Sequence, residues 1–251
     1  MKQSFFTRLT KLHKRRKSAR VLRIPFTRGA WFSMPEEIWL DGRMVPLHWP
    51  AEDNTEGIFV EVLLDDCYGC VDMARAEIPV NSVLDIGGNI GLFGLAARRS
   101  FPGARIHAYE PNAALEPYLA AQAQTGQFDY FLEAVGGHEG RVSLEFGRSS
   151  FATSTRSDLA GDIPQVSLAQ AIDRLGGQVD FAKIDCEGAE WDMLEDSAPW
   201  QHITWLAMEY HLFKGDARTA EDAINRVKEL GFKVTSVDRF PRYGVILAHR
   251  D

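Results

Sequence analysis

The stretch Val83-Leu84-Asp85-Ile86-Gly87-Gly88-Asn89-Ile90-Gly91-Leu92-Phe93-Gly94 constrains this chain more than any other part of it. An apolar run ends in an acid, passes through a glycine cluster and opens an apolar helix. In a doubly wound sheet, the first strand-to-helix turn has this form and lies at the ligand-binding edge. Glycine serves there because the backbone must take positive φ and come close to a ligand. The alternation then continues. Strand-like runs at 105–109, 130–135, 181–184 and 204–209 are interleaved with helical periods at 113–124, 191–196 and 219–230. Runs at 233–237 and 245–248 close the chain as an antiparallel hairpin. Strands alternating with helices give an α/β fold, a doubly wound and mostly parallel sheet covered on both faces.

The strand at 105–109 leads into Glu110 and Pro111, so an acid follows Asp85 where a nucleoside-binding unit holds the ribose hydroxyls. A dinucleotide fingerprint would need a second glycine where Asn89 stands, which disfavours a nicotinamide oxidoreductase. The loop instead matches the Asp-x-Gly-x-Asn-x-Gly variant of the S-adenosylmethionine loop, and the sulfonium and amino group of that cofactor give Asp85 a reason to be acidic. Two further strands end in polar groups. Val179-Asp180-Phe181-Ala182-Lys183-Ile184-Asp185-Cys186-Glu187-Gly188-Ala189-Glu190 places Asp185 and Glu187 at the carboxyl edge of the sheet, while Glu190 reads equally as an acid at a helix start. Leu206-Ala207-Met208-Glu209-Tyr210-His211 does the same, and a histidine there is expected to titrate near neutrality as a proton acceptor.

Charge divides the chain. Of its 251 residues the first thirty carry ten Lys or Arg and no acid, so an overall charge of -7 conceals a body with 18 basic and 35 acidic residues, a net of -17. Such a body is too acidic to be a nucleic-acid platform. The arm has either its own anionic partner or the acidic body as its seat. Phe5, Phe6, Leu9 and Leu12 recur at helical spacing among Lys2, Arg8, Lys11, Lys14 and Arg15, which suits a helix lying on an anionic membrane surface. The organisation is thus a basic arm over 1–30, a small β-containing cap over 31–79 and the cofactor-binding domain over 80–251. In the cap, Glu36-Glu37-Ile38-Trp39-Leu40, Asp41-Gly42 and Arg43-Met44-Val45 predict a hairpin. Ile58-Phe59-Val60-Glu61-Val62-Leu63-Leu64 predicts a strand, and 71–77 a helix. Three cysteines, Cys67, Cys70 and Cys186, fit a reducing, cytoplasmic location; with no second Cys pair beside Cys67 and Cys70, no zinc site is expected.

From Phe59 onward the chain resembles the FkbM family of S-adenosylmethionine-dependent methyltransferases. The likeness rests on Val83 to Gly91, on Tyr109-Glu110-Pro111, and most specifically on the Val179 to Glu190 block. Ala134-Val135-Gly136, Gly140-Arg141-Val142, the Ser-rich 149–155 and Val166-Ser167-Leu168 follow the family's order; Gly88 and Glu133 stand where Ala and Asn are usual. The resemblance implies a class I methyltransferase fold with a seven-stranded sheet. It implies Asp85, Gly87 and Asn89 around the methionine part of the cofactor, Glu110 on the ribose, and Glu133 and Ala134 near adenine, with Gly88, Gly91, Pro111 and Asp185 also among the cofactor-binding residues. Lys183, Asp185 and Glu187 would border the transferring methyl. The expected reaction is O-methylation of a hydroxyl on a sugar, glycan or secondary metabolite. Asp185 or His211 would accept the proton, and Glu187 and Glu209 would orient the acceptor. A divalent cation held by the acids is the alternative to a side-chain base. N-methylation of a small molecule or protein, and a non-catalytic cofactor-binding scaffold at a membrane, are the competing functions. With the arm engaged, the protein would sit peripherally at the inner membrane face.

Overall fold

The computed structural model describes residues 5–25, 34–51, 55–146, 153–157, 161–213, 215 and 217–251. Its centre is a seven-stranded sheet of strands β3 (Ser82–Ile86), β4 (Arg105–Tyr109), β5 (Asp129–Phe131), β10 (Val179–Ile184), β11 (Ile203–His211), β12 (Lys233–Arg239) and β13 (Tyr243–His249). The order is β12-β13-β11-β10-β3-β4-β5; β11 to β5 run parallel, and β13 lies antiparallel to both of its neighbours. The chain winds outward in opposite directions from β3 and β10, so a crevice opens beyond their carboxyl ends.

Side chains on these strands alternate between two cores, as the pleat requires. Val83, Phe181, Ala207 and Val245 face one, whereas Leu84, Ala182, Leu206 and Ile246 face the other. The first core is closed by α4 (Leu92–Ser100), α5 (Glu116–Gly126) and the described part of the N-terminal region. The second is closed by α6 (Leu168–Arg174), the single turn α7 (Glu190–Met193) and α8 (Ala220–Glu229).

The N-terminal region shares the first core with the sheet. Helix α1 (Phe5–Val21) buries Ala19, and Leu22 and Ile24 beyond it are also buried, alongside Ile38, Leu40 and Val45 of the predicted hairpin β1 (Glu37–Leu40) and β2 (Arg43–Pro46). The arm's inward cations meet the acidic body: Arg15 forms a two-pronged ion pair with Asp65 at 2.7 Å, and Lys14 approaches Asp66 and Asp72 at 3.7 and 3.4 Å. The side chains of Phe5, Phe6 and Leu9 lie outside the described residues, as do Lys2, residues 26–33 and residues 149–152.

Three expectations are corrected. Residues 58–64 are helical, with α2 (Thr55–Phe59) running into a π-helical turn at Val60–Leu64. Phe59, Val62 and Leu63 are buried, which is helical spacing, and this packing overrides the β propensity of Ile58, Val60 and Val62. The run at 130–135 is split: β5 ends at Phe131 in the main sheet, and β6 (Ala134–Gly136) begins a second sheet with β7 (Gly140–Phe146), β8 (Thr153–Ser157) and β9 (Ile163–Ser167) in the order β6-β9-β7-β8. The helix expected at 191–196 is the single turn α7. The helix expected at 71–77 is α3 (Cys70–Arg75).

Candidate active site

One cleft crosses the carboxyl ends of β3, β4, β10 and β11, and its wall includes Gly87, Gly88, Asn89, Glu110, Pro111, Glu133, Ala134, Asp185 and Glu187. Two of the expected glycine-loop residues do not line it. Asp85 is fully buried behind the loop, and Gly91 packs helices instead: at φ +86° it starts α4, and a Cβ there would stand 2.9 Å from Gln122 Cβ and 3.2 Å from Leu119.

The loop is shaped by backbone contacts. Gly87 and Gly88 both donate their N–H groups to the Tyr109 carbonyl, at 2.9 and 2.8 Å, tying the loop to the end of β4. Gly87 has φ +79°, and an added Cβ would fall 1.7 Å from the Asp185 carbonyl oxygen, so only glycine fits. Glu110 holds the next position: its Oε2 accepts the Asn89 N–H at 2.8 Å and its Oε1 accepts the Asn112 N–H at 2.9 Å. Burial raises the Glu110 pKa while these two N–H groups lower it. Glu133 pairs with Arg174 on α6, whose guanidinium also lies over the Phe131 ring.

Beneath the loop lies a buried ion pair. Lys183, 3% exposed in its side chain, places Nζ 3.1 Å from Asp85 Oδ1 and also donates to the carbonyls of Ile86, at 3.2 Å, and Gly87. Burial lowers the Lys183 pKa, but the charges of Asp85 and Asp185 overcome this and hold it above its ordinary value. The ammonium therefore stays charged and clamps the glycine loop to β10.

The other half of the cleft is acidic. Asp185 Oδ2 accepts the Tyr68 hydroxyl at 2.8 Å, leaving Oδ1 turned toward His211. His211 is set behind the cleft wall among four carboxylates. Its Nε2 lies 3.3 Å from Glu209, 3.5 Å from Glu187 and 4.0 Å from Asp185, and its Nδ1 lies 3.3 Å from Glu190. Burial would lower its pKa, but the hydrogen bonds to Glu190 and Glu209 and the surrounding charges raise it to about 11. The expectation of a histidine titrating near neutrality is thus corrected: these contacts favour the imidazolium over the neutral ring that would accept a proton. The carboxylates move the other way. Burial lifts both Glu187 and Glu209 to about 7, the His211 charge opposing it in each case.

Tyr68, Glu61 and Tyr243 also line this end and were missed in the sequence, because each is carried in by an element that carries no loop motif of its own. Glu190 is fully buried and structural: it accepts the backbone N–H of Gly188 and of His211, both at 2.7 Å, and so joins the turn after β10 to the end of β11.

Comparisons with known proteins identify the family and the fold. Residues 85–234 match the family model described as the methyltransferase FkbM domain. A protein of Sordaria araneosa named methyltransferase sdnD is 42% identical over 194 residues, covering 61% of this chain and 73% of its own. A second, methyltransferase 1 of Beauveria bassiana, is 27% identical over 207 residues, covering 68% of this chain and 79% of its own. Among solved structures, magnesium protoporphyrin IX methyltransferase from Synechocystis PCC 6803, determined with bound S-adenosylmethionine, aligns with a TM-score of 0.50 over 81% of this chain and 87% of its own at 14% identity. That likeness establishes the class I methyltransferase fold.

Proposed function

The chain belongs to the FkbM family of S-adenosylmethionine-dependent methyltransferases, and from that premise we propose that it methylates a hydroxyl oxygen on a sugar, glycan or secondary metabolite. The observation that carries this reading is the carboxylate group of the cleft, Asp185, Glu187 and Glu209, facing the acceptor side. Carboxylates at a reacting centre hold an amine as its ammonium, which has no lone pair for the methyl group. A hydroxyl is neutral, keeps its lone pairs, and needs only a base for its proton.

Glu110 and Asn89 would then hold the ribose and methionine portions of the cofactor, with Glu133 and Ala134 beside the adenine. With S-adenosylmethionine bound, its sulfonium would supply the methyl group and leave as S-adenosylhomocysteine, and the residues of the cleft would set the acceptor oxygen against that methyl group. Alignment supplies much of the acceleration. In this reading the proton goes to Glu187, whose pKa of about 7 matches the working pH of an effective general base. Asp185, anchored by Tyr68, orients the acceptor. Without a bound cation, His211 as an imidazolium offsets the charge of the three acids.

The test begins with calorimetric binding of S-adenosylhomocysteine, then screens hydroxylated sugars and natural products by mass spectrometry for an O-methyl product. With the true acceptor, Glu187→Gln should lower kcat by about 10²–10⁴-fold while cofactor affinity is kept. Near-wild-type turnover in that variant would remove Glu187 as the base, and an N-methyl product would refute the hydroxyl acceptor.

The same proposal extends to location. On α1, His13, Arg16, Lys17 and Arg20 are exposed, on the side away from the acids that hold Lys14 and Arg15. This outward cationic face supports peripheral contact with an anionic membrane. No helix among the described residues is long and apolar enough to cross one.

A further inference from the structure

We infer that Asp185, Glu209 and His211 form a binding site for one divalent transition-metal cation, placed where it would meet the acceptor hydroxyl. The register of the sheet creates the site. Ile184 is paired with Met208, so Asp185, one residue beyond β10, comes level with Glu209, and His211 follows two residues later on the same face of β11. One ligand atom from each of the three lies within 4.8 Å of the others. Nε2 of His211 stands 3.3 Å from Glu209 Oε1 and 4.0 Å from Asp185 Oδ1. Ligands about 2.1 Å from a shared metal are about 3.0–3.4 Å apart at octahedral or tetrahedral angles. Bringing the 4.0 Å pair, and any pair as wide as 4.8 Å, to that spacing takes side-chain movements of about 1 Å.

A group of acids alone would say little. What distinguishes this one is that an outer partner aims two of its three ligands. Glu190, fully buried, faces Nδ1 of His211 at 3.3 Å and fixes the backbone N–H of the same residue at 2.7 Å, so Nε2 is the nitrogen turned to the acids. Metal-binding histidines are typically held by a carboxylate in this way. Tyr68 donates to Asp185 Oδ2 at 2.8 Å and leaves Oδ1 on the side of His211. His211 is 8% exposed, and Glu209 reaches the cleft wall, so the site is closed behind and open toward the acceptor.

One imidazole nitrogen with two carboxylates suits Mn²⁺, Fe²⁺ or Zn²⁺. Ca²⁺ would need six to eight oxygens. A cation here would replace the proton shared between His211 and the acids. Its role rests on the methyl-transfer reading: it would polarise the acceptor O–H, lower its pKa and leave Glu187, which is not among the three ligands, to take the proton.

The experiment uses the full-length protein, freed of metal by chelation and titrated with Mn²⁺ alone, the free ion being followed by electron paramagnetic resonance. The same preparations are titrated with S-adenosylhomocysteine. We expect one Mn²⁺ per chain in the wild type and at least tenfold weaker binding in His211→Ala and Glu209→Gln. Tyr68→Phe, which removes only the outer hydrogen bond, should weaken Mn²⁺ about tenfold, within the range such partners contribute. Retained S-adenosylhomocysteine binding shows that each variant is folded. Wild-type protein that binds S-adenosylhomocysteine but takes up no stoichiometric Mn²⁺ would overturn the inference, as would uptake unchanged in all three variants. Uptake of Mn²⁺ without any S-adenosylhomocysteine binding would keep the cation site and refute the methyl-transfer reading instead.

Discussion

Lys183→Met is the substitution whose consequence follows most directly from the geometry. Methionine fills nearly the same volume, so the change removes the ammonium and little else. Asp85, with no exposed surface, then keeps its charge without the cation 3.1 Å away. Breaking a buried pair on one side costs about 3–5 kcal/mol, because the remaining charge is uncompensated. Asp85 has an escape, which is to bind a proton. The cost of that escape is set by the interval between the pH and its ordinary pKa of 3.8, at about 1.36 kcal/mol per pH unit. The ceiling is then about 4 kcal/mol at pH 7 and about 1.6 kcal/mol at pH 5. The sign is that of a carboxyl whose folded pKa lies above its unfolded one: the native state binds the extra proton, so the variant loses stability as pH rises from about 4 toward that folded pKa. Urea denaturation of wild type and variant at both pH values measures it. Asp85→Asn/Lys183→Met should recover much of the loss at pH 7 and remove its pH dependence. An equal deficit at pH 5 and pH 7, or one below about 1 kcal/mol at pH 7, would refute the uncompensated-charge argument.

Other substitutions test the cofactor half, the base and the arm. Glu110→Ala removes the acceptor of the Asn89 and Asn112 N–H groups, and S-adenosylhomocysteine affinity by calorimetry should fall about 10–100-fold, as for a lost charged hydrogen bond. Gly87→Ala puts a methyl 1.7 Å from the Asp185 carbonyl oxygen, so both the melting temperature and cofactor binding should drop, whereas Gly103→Ala, with open space around it, should leave binding unchanged. With Glu187 as base, kcat/KM of the wild type should rise through about pH 7 and then flatten, and Glu187→Gln should lose that rise. Vesicles containing anionic lipid should bind the protein at low salt and release it at high salt; replacing Arg16, Lys17 and Arg20 with glutamine should weaken binding, and indifference of the wild type to lipid charge would end the membrane proposal.

What could be read in advance was what local pattern determines. The strand runs at 105–109, 181–184, 204–209, 233–237 and 245–248 and the glycine loop follow from apolar periodicity and from a turn that needs positive φ, and they stand where they were expected, with Glu110 at the end of β4. The errors fall where tertiary context decides. Residues 58–64 read as a strand because Ile58, Val60 and Val62 are β-branched, yet α1 and α4 bury Phe59, Val62 and Leu63 from one side as a helix does. The second sheet escaped notice because β9 buries Gln165 beside Val166, and no alternating apolar pattern announces it. The charge of His211 was illegible for a related reason: it depends on Glu190, distant in sequence and brought to its imidazole only when the turn after β10 packs against β11.

The division of labour within the cleft follows the same line. The residues matching the family model, 85–234, supply the glycine loop, Glu110 and the acids up to His211. Tyr68 and Glu61 precede that range and Tyr243 follows it, yet all three line the acceptor side of the cleft, and Tyr68 sets the orientation of Asp185. Glu61, Tyr68, Glu209 and Tyr243 also border a second cavity of about 750 Å³, which reaches past Val60, Val245 and Leu247 to Lys11, Lys14 and Arg15 of α1. In the proposed reading the cofactor is held by the part of the chain shared with the family, whereas the space left for the acceptor is bounded by the cap, the closing hairpin and the basic arm. In one fold that accepts many substrates, the acceptor is chosen where these elements meet the sheet. Substitutions at Tyr68 or Tyr243 should therefore change KM for the acceptor far more than affinity for S-adenosylhomocysteine. Parallel kinetics and calorimetry on Tyr243→Ala decide this, and an equal loss in both would place Tyr243 with the cofactor instead.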